Sequence, residues 1–240
     1  SILLSYGRPL RAIAVGMHGR QARRVALALG FAVLAAEGAR AEELSLIDGR
    51  ATVAAGIVLV GAAAAVGDLT PVDPAGVVLD RHGRVRAQLR AADGSWLQAS
   101  LVASGQAVVA PADDVATADL GRLLALERTA RDQRLGVWAD GRHGPWPAER
   151  VAARRGAFVL VRGTVSAVAR RGRFTYLDFG ADWRRDFTLR AENRDLAGFA
   201  RAGLAVETLA GRRILARGWL FESAGPMIEL VHPAQIEVEE

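Results

Sequence analysis

At 240 residues, half of them hydrophobic, the chain is long enough for two small domains and can bury a core in each. It has no cysteine, which excludes a disulfide framework, a thiol nucleophile and thiolate metal sites. The net charge of +5 resides in residues 1–41, with six arginines against one acid; the other 25 arginines face 25 acids, so the global basicity is no argument for a nucleic-acid partner.

In chain order, residues 1–41 read as a leader. After Met17 a basic run, HGRQARR, gives way to an apolar run, VALALGFAVLAA, and then to Ala39-Arg40-Ala41. That order is the one a secretory signal peptide shows, and about a dozen apolar residues are too few to span a bilayer. The expectation is an exported protein, periplasmic or secreted, with no transmembrane segment in the mature chain. An ordinary N-terminal amphipathic helix is the alternative.

From Glu43 to Val60 the chain is strand-like, and a further extended run covers Gly76–Leu79. A polar turn, Asp80 to Gly83, then starts a strand over Arg84–Ala91, and Asp93-Gly94 makes the next hairpin turn. Trp96 to Gly105 suits a short helix and QAVVA a strand. Leu120, Leu123, Leu124 and Ala130 recur at helical spacing in a helix over Val115–Arg134 that stops at Gly136. After a loop rich in Gly, Pro and Trp, five short strands follow, with one helix between the third and fourth. The predicted fold class is α+β, mainly β: two OB-fold-like five-stranded barrels with capping helices, over residues 42–144 and 145–240.

The run DRHGRVRAQLRAADGSWLQASLVASGQAVV, followed by LLALERTARDQRLGVW, resembles the thermonuclease-like family of the staphylococcal nuclease type. Asp80, Gly83, Arg84, Gly105, Glu127, Ala130, Arg131, Gly136 and Trp138 fall in the family's order, and the likeness covers about residues 44 to 140. It implies an OB barrel closed by a helix, and a calcium ion that works with two arginines and a glutamate on a phosphodiester. That chemistry needs hard oxygen ligands and positive charge aimed at the phosphate.

The first half of the resemblance lacks this apparatus. The family's D-G-D-T reads Asp48-Gly49-Arg50-Ala51, so a guanidinium replaces a metal-binding carboxylate. Val58 stands where the first arginine would be, and Ala62 to Ala65 replace the acid, proline and glutamate. Of the catalytic set only Arg84 is matched. A single charge-stabilising donor is typically worth about 2.7 to 4 kcal/mol in the transition state. The resemblance therefore implies a retained fold with lost or weakened nuclease activity, no cofactor and no metal site. The rival reading is an active calcium-dependent phosphodiesterase with a rearranged site, in which Asp68 or Asp73 supplies a carboxylate.

Arg84 has two readings. It matches a phosphate-facing arginine; it is equally a brace, with Asp80 capping the turn amides and Arg84 pairing with a carboxylate such as Glu127. Arg131 lies at i+4 from Glu127 and reads as an ion pair that braces the closing helix.

The second half resembles small OB-like nucleic-acid-binding domains of secreted nucleases. Such barrels stack bases on aromatics and track phosphates with arginines, and Arg170, Arg171, Arg173, Phe174 and Tyr176 fit that use. A solvated hairpin tip with Phe174 turned into the core fits as well. Trp183, Phe187, Phe199 and Trp219 read as core. His82, His143 and His232 are scattered, without zinc spacing. Partners implied are nucleic acid or another polyanion, or an envelope protein for which both barrels serve as interaction modules.

Overall fold

The computed structural model describes residues 43–47, 50–59, 69–73, 77–80, 83–141, 143–182 and 184–239. The leader, Asp48, Ala62–Ala65, Asp68, His82 and Trp183 lie outside them. Residues 41–240 form one compact unit.

The first half contributes β1 (Glu43–Ile47), β2 (Arg50–Ala54), β3 (Ile57–Leu59), β4 (Thr70–Pro71), β5 (Val78–Leu79), β6 (Val85–Ala87), β7 (Leu89–Arg90), α1 (Leu97–Ala103), β8 (Ala107–Val109) and α2 (Thr117–Asp132). Strands β1, β2, β6 and β5 form a sheet in that order, while β3 pairs with β8 and β4 with β7. The strand expected over Arg84–Ala91 is divided at Gln88. There the side-chain amide donates to the Ala55 carbonyl at 3.2 Å and its oxygen accepts from the Trp96 indole at 2.7 Å. The chain thereby leaves one sheet for the pairing with β4. In α2 the buried residues Leu120, Leu123, Glu127 and Ala130 recur at spacings of three and four, so a carboxylate shares the core-facing stripe with apolar groups. Gly105 and Gly136 let the turn after α1 touch the turn after α2. Both have positive φ, 70° and 52°, and a Cβ on either would strike the other's backbone.

The second half adds β9 (Trp146–Pro147), β10 (Phe158–Thr164), β11 (Ala167–Arg171), β12 (Phe174–Asp178), β13 (Thr188–Glu192), α3 (Leu196–Arg201), β14 (Arg213–Glu222), β15 (Pro226–Leu230) and β16 (Ile236–Val238). The sheet runs β11-β12-β13-β15-β14-β10-β9, with β16 on β14. β10 and β11 are consecutive halves of one bent segment, the first paired with β14 and the second with β12. Counting them as one, five strands close a curled sheet, with α3 between the third and fourth; only the short edge strands β9 and β16 are extra. The bend falls at Ser166, whose amide and hydroxyl both donate to the Asp178 carbonyl, at 2.7 and 2.8 Å. The α+β, OB-like class is the one expected.

A shared core joins the halves: Val108, Ala130 and Trp138 pack with Leu160 and Leu215. Beside it lies an ion cluster. Glu127, fully buried, accepts the Val109 amide at 2.8 Å on one oxygen and Arg217 Nη1 at 2.6 Å on the other. Arg217, also fully buried, donates from Nη2 to Glu237, and its own backbone carbonyl accepts from Gln235 at 3.1 Å. Arg131 sits 3.7 Å from Glu127 and 3.8 Å from Glu237. Burial pulls the Arg131 guanidinium below its ordinary pKa, opposed by the charges of Glu127 and Glu237 and reinforced by Arg217.

Removing one member of a buried pair strands the other, which costs about 3–5 kcal/mol. Arg217→Met should therefore lower the unfolding free energy by that amount in urea titration. Adding Glu127→Gln, which keeps an acceptor for Val109 without the charge, should restore part of it. A loss below about 1 kcal/mol for the single change would contradict the assignment.

His232 caps the short turn Pro233–Gln235 by accepting the Ala234 amide on Nδ1 at 3.1 Å. Burial lowers its pKa, against a weaker upward pull from Asp113. The unfolded chain then binds the proton more readily than the folded one. The resulting stability is present above the ordinary histidine value of about 6.5 and is lost as pH falls through the lowered folded value. Urea midpoints between about pH 7.5 and pH 5 should fall more for the wild type than for His232→Asn, which keeps a capping oxygen but does not titrate.

Candidate nucleic-acid interface

The turn that carries Arg84 is tied to itself. The Asp80 amide donates to the Arg84 carbonyl at 2.9 Å, and the Asp80 carboxylate accepts the Arg84 amide at 2.9 Å and Nε at 2.6 Å. Asp80 thus caps the turn, and the guanidinium pairs with Asp80 within the turn. The expected pairing with Glu127 does not form, since both Glu127 oxygens are engaged in the buried cluster. Two residues on, Arg86 forks onto Asp114 through Nε at 2.7 Å and Nη2 at 3.3 Å. Val58, half-buried on β3, offers no oxygen and no charge. Among the described residues no three His, Asp or Glu side chains converge to hold a metal. At the positions where the resemblance places carboxylates, a guanidinium at 50 and methyl groups at 62–65 do not fit a hard cation.

A different surface gathers cations and rings. Along β12, Thr175 and Leu177 are buried while Phe174 and Tyr176 are half-buried on the outer face; on β13, Arg190 lies outward between buried Leu189 and Ala191. The register sets Arg171 opposite Phe174, Tyr176 opposite Arg190, and Arg190 opposite Glu229. Arg173 lies 4.8 Å over the Phe174 ring and Arg171 5.9 Å over Tyr176. Arg190 lies between two rings, 4.5 Å from Phe174 and 5.3 Å from Phe221, and pairs with Glu229 at 3.2 Å. Arg170 is exposed but opposite Thr175, so it belongs to the other face of the hairpin. The structure therefore brings together Arg171, Arg173, Phe174 and Tyr176, apart from Arg170, and keeps Asp80, Arg84, Glu127 and Arg131 in the first half.

Phe187 and Phe199 are core residues, each 1% exposed. Trp219 is not: it is 38% exposed, two residues before Phe221 on the outer face of β14, with the Phe158 ring edge-on at 5.7 Å. Arg190, Phe221, Trp219 and Phe158 extend the ring-and-guanidinium face, and sequence reasoning missed all four for this role. The signal available was the alternation Trp219-Leu220-Phe221.

Against known families, residues 65–140 match the model described as staphylococcal nuclease homologue. The chain carries a thermonuclease-like domain. The match includes Asp80, Arg84, Glu127, Arg131, and the Gly105–Gly136 contact that locks α1 to the end of α2. Comparison with curated proteins returned no match. No helix among the described residues is long and apolar enough to cross a membrane. Arg84 and Arg86 of the thermonuclease-like domain are paired with carboxylates, while Arg171 and Arg173 of the appended sheet lie over aromatic rings.

Proposed function

We propose that this is a nuclease-related protein that binds nucleic acid or another polyanion through the outer face of β11, β12 and β13, with its phosphodiester chemistry lost or much weakened. The observation that carries the reading is the set of three guanidiniums, Arg171, Arg173 and Arg190, held on the rings of Tyr176, Phe174 and Phe221. Aromatic faces accept any base and arginines accept phosphate, so the face suits a single strand with little sequence preference. The weakened chemistry is supported by the residues at positions 50, 58 and 62–65. Export is supported by the order of basic, apolar and small residues after Met17, and the division into modules of 42–144 and 145–240 by the separate sheets of the two halves.

Fluorescence anisotropy with labelled single-stranded DNA and RNA, run at several salt concentrations with calcium or chelator, tests this. Affinity should fall steeply with salt, and Arg171→Ala/Arg173→Ala should make the log–log slope shallower by about 1.4, roughly 0.7 for each phosphate no longer neutralised. Arg170→Ala should change it less. Absence of binding would overturn the polyanion reading in favour of a protein partner. Chelator-sensitive cleavage abolished by Arg84→Ala would overturn the loss of activity.

A further inference from the structure

The outer face of the appended sheet ends in a groove. The rings of Phe158, Trp219 and Phe221 line it together with Val58 of the thermonuclease-like side and the charged side chains of Arg86 and Glu229. The volume is about 400 Å³, at the lower end of the range of small-molecule sites. Val58 occupies the position at which the resemblance places a catalytic arginine. Valine at that position adds an apolar group to the lining in place of a charge.

The groove is continuous with the face already described. From β12 the sheet passes through β13 and β15 to β14 and then β10, four strand spacings, or about 19 Å along the sheet. Arg190 lies between the two regions, over Phe174 of β12 and Phe221 of β14, and pairs with Glu229 in the groove lining. A strand whose phosphates follow Arg171, Arg173 and Arg190 is led to the mouth of the groove. A flat, hydrogen-bonding ring suits what is there: Trp219 and Phe221 for stacking, and Arg86 and Gln235 in the lining as donor and acceptor groups. A peptide ring would fit the same slot but would not account for the guanidiniums along the approach.

We propose that this groove is a stacking seat for one base of a single-stranded nucleic acid whose backbone runs along the arginine-bearing face; the proposal rests on the polyanion-binding reading above. Base–aromatic stacking is worth about 1–3 kcal/mol per base, so Trp219→Ala should weaken binding of a single-stranded oligonucleotide by roughly 5- to 150-fold. The salt slope should not change, because the arginines that meet the phosphates are untouched. Trp219→Phe should recover part of the loss. An abasic oligomer of equal length, which keeps the phosphates and lacks the bases, should bind wild type and Trp219→Ala equally. A variant that had simply misfolded would lose the abasic oligomer too, and that result would overturn the assignment of a local stacking role.

Two other results separate the claims. If the base-bearing oligonucleotide binds Trp219→Ala as tightly as wild type while Arg171→Ala/Arg173→Ala weakens it, the seat is refuted and the binding face stands. If wild type binds neither oligomer, the underlying reading fails with it. Displacement of a bound oligonucleotide by nothing but a phosphate polymer, with no competition from free nucleobase analogues, would also count against the seat.

Discussion

A guanidinium with no exposed surface holds the two halves of this chain together. Arg217 leaves β14 of the second sheet, enters the first half and meets Glu127 of α2, which itself holds the amide of Val109 on β8. Two charges taken out of water gain little unless their geometry is good and their remaining donors and acceptors are met. Glu237 and the Val109 carbonyl meet the rest of the guanidinium except Nε, and Arg131 lies close to both acids. Such a cluster specifies one alignment of the halves, because any shift would leave a charge stranded. The groove beneath Trp219 exists because β3 and β8 are held against β14 in that alignment.

The same constraint separates the roles of the halves. In the thermonuclease-like domain each arginine described above has a carboxylate at hand: Arg84 has Asp80, Arg86 has Asp114 and Arg131 has Glu127. The half-exposed Arg84–Asp80 and Arg86–Asp114 pairs add little stability, but they reduce the positive potential offered to a phosphate. In the appended sheet Arg171, Arg173 and Arg190 lie over rings, which orients each guanidinium, and Arg190 also pairs with Glu229. The proposed anion-binding face therefore lies on the second half.

Much of this was legible in the sequence. The Asp80–Arg84 turn, the two helices, their terminal glycines and the order of five strands around one helix follow from local spacing and turn chemistry. The partner of Glu127 did not, since Arg217 lies 90 residues away and no local pattern links them. Trp219 was misread for a related reason. Along β14, residues Ile214 to Gly218 are all buried, because neighbouring elements cover both faces of that stretch. The two-residue period that betrays an outward side chain is thus lost until Trp219, where one face opens. Arg170 was grouped with Arg171 and Arg173 by proximity, and the register sends it to the opposite face.

Ultraviolet crosslinking of a single-stranded oligonucleotide to the full chain, followed by mass spectrometry of the crosslinked peptides, addresses the central claim that ligand contact lies on the second sheet. The account predicts adducts on the peptides that carry Phe174 and Tyr176 and on the one that carries Trp219 and Phe221. Adducts concentrated on the Asp80–Arg90 segment, with the second sheet unmarked, would contradict it.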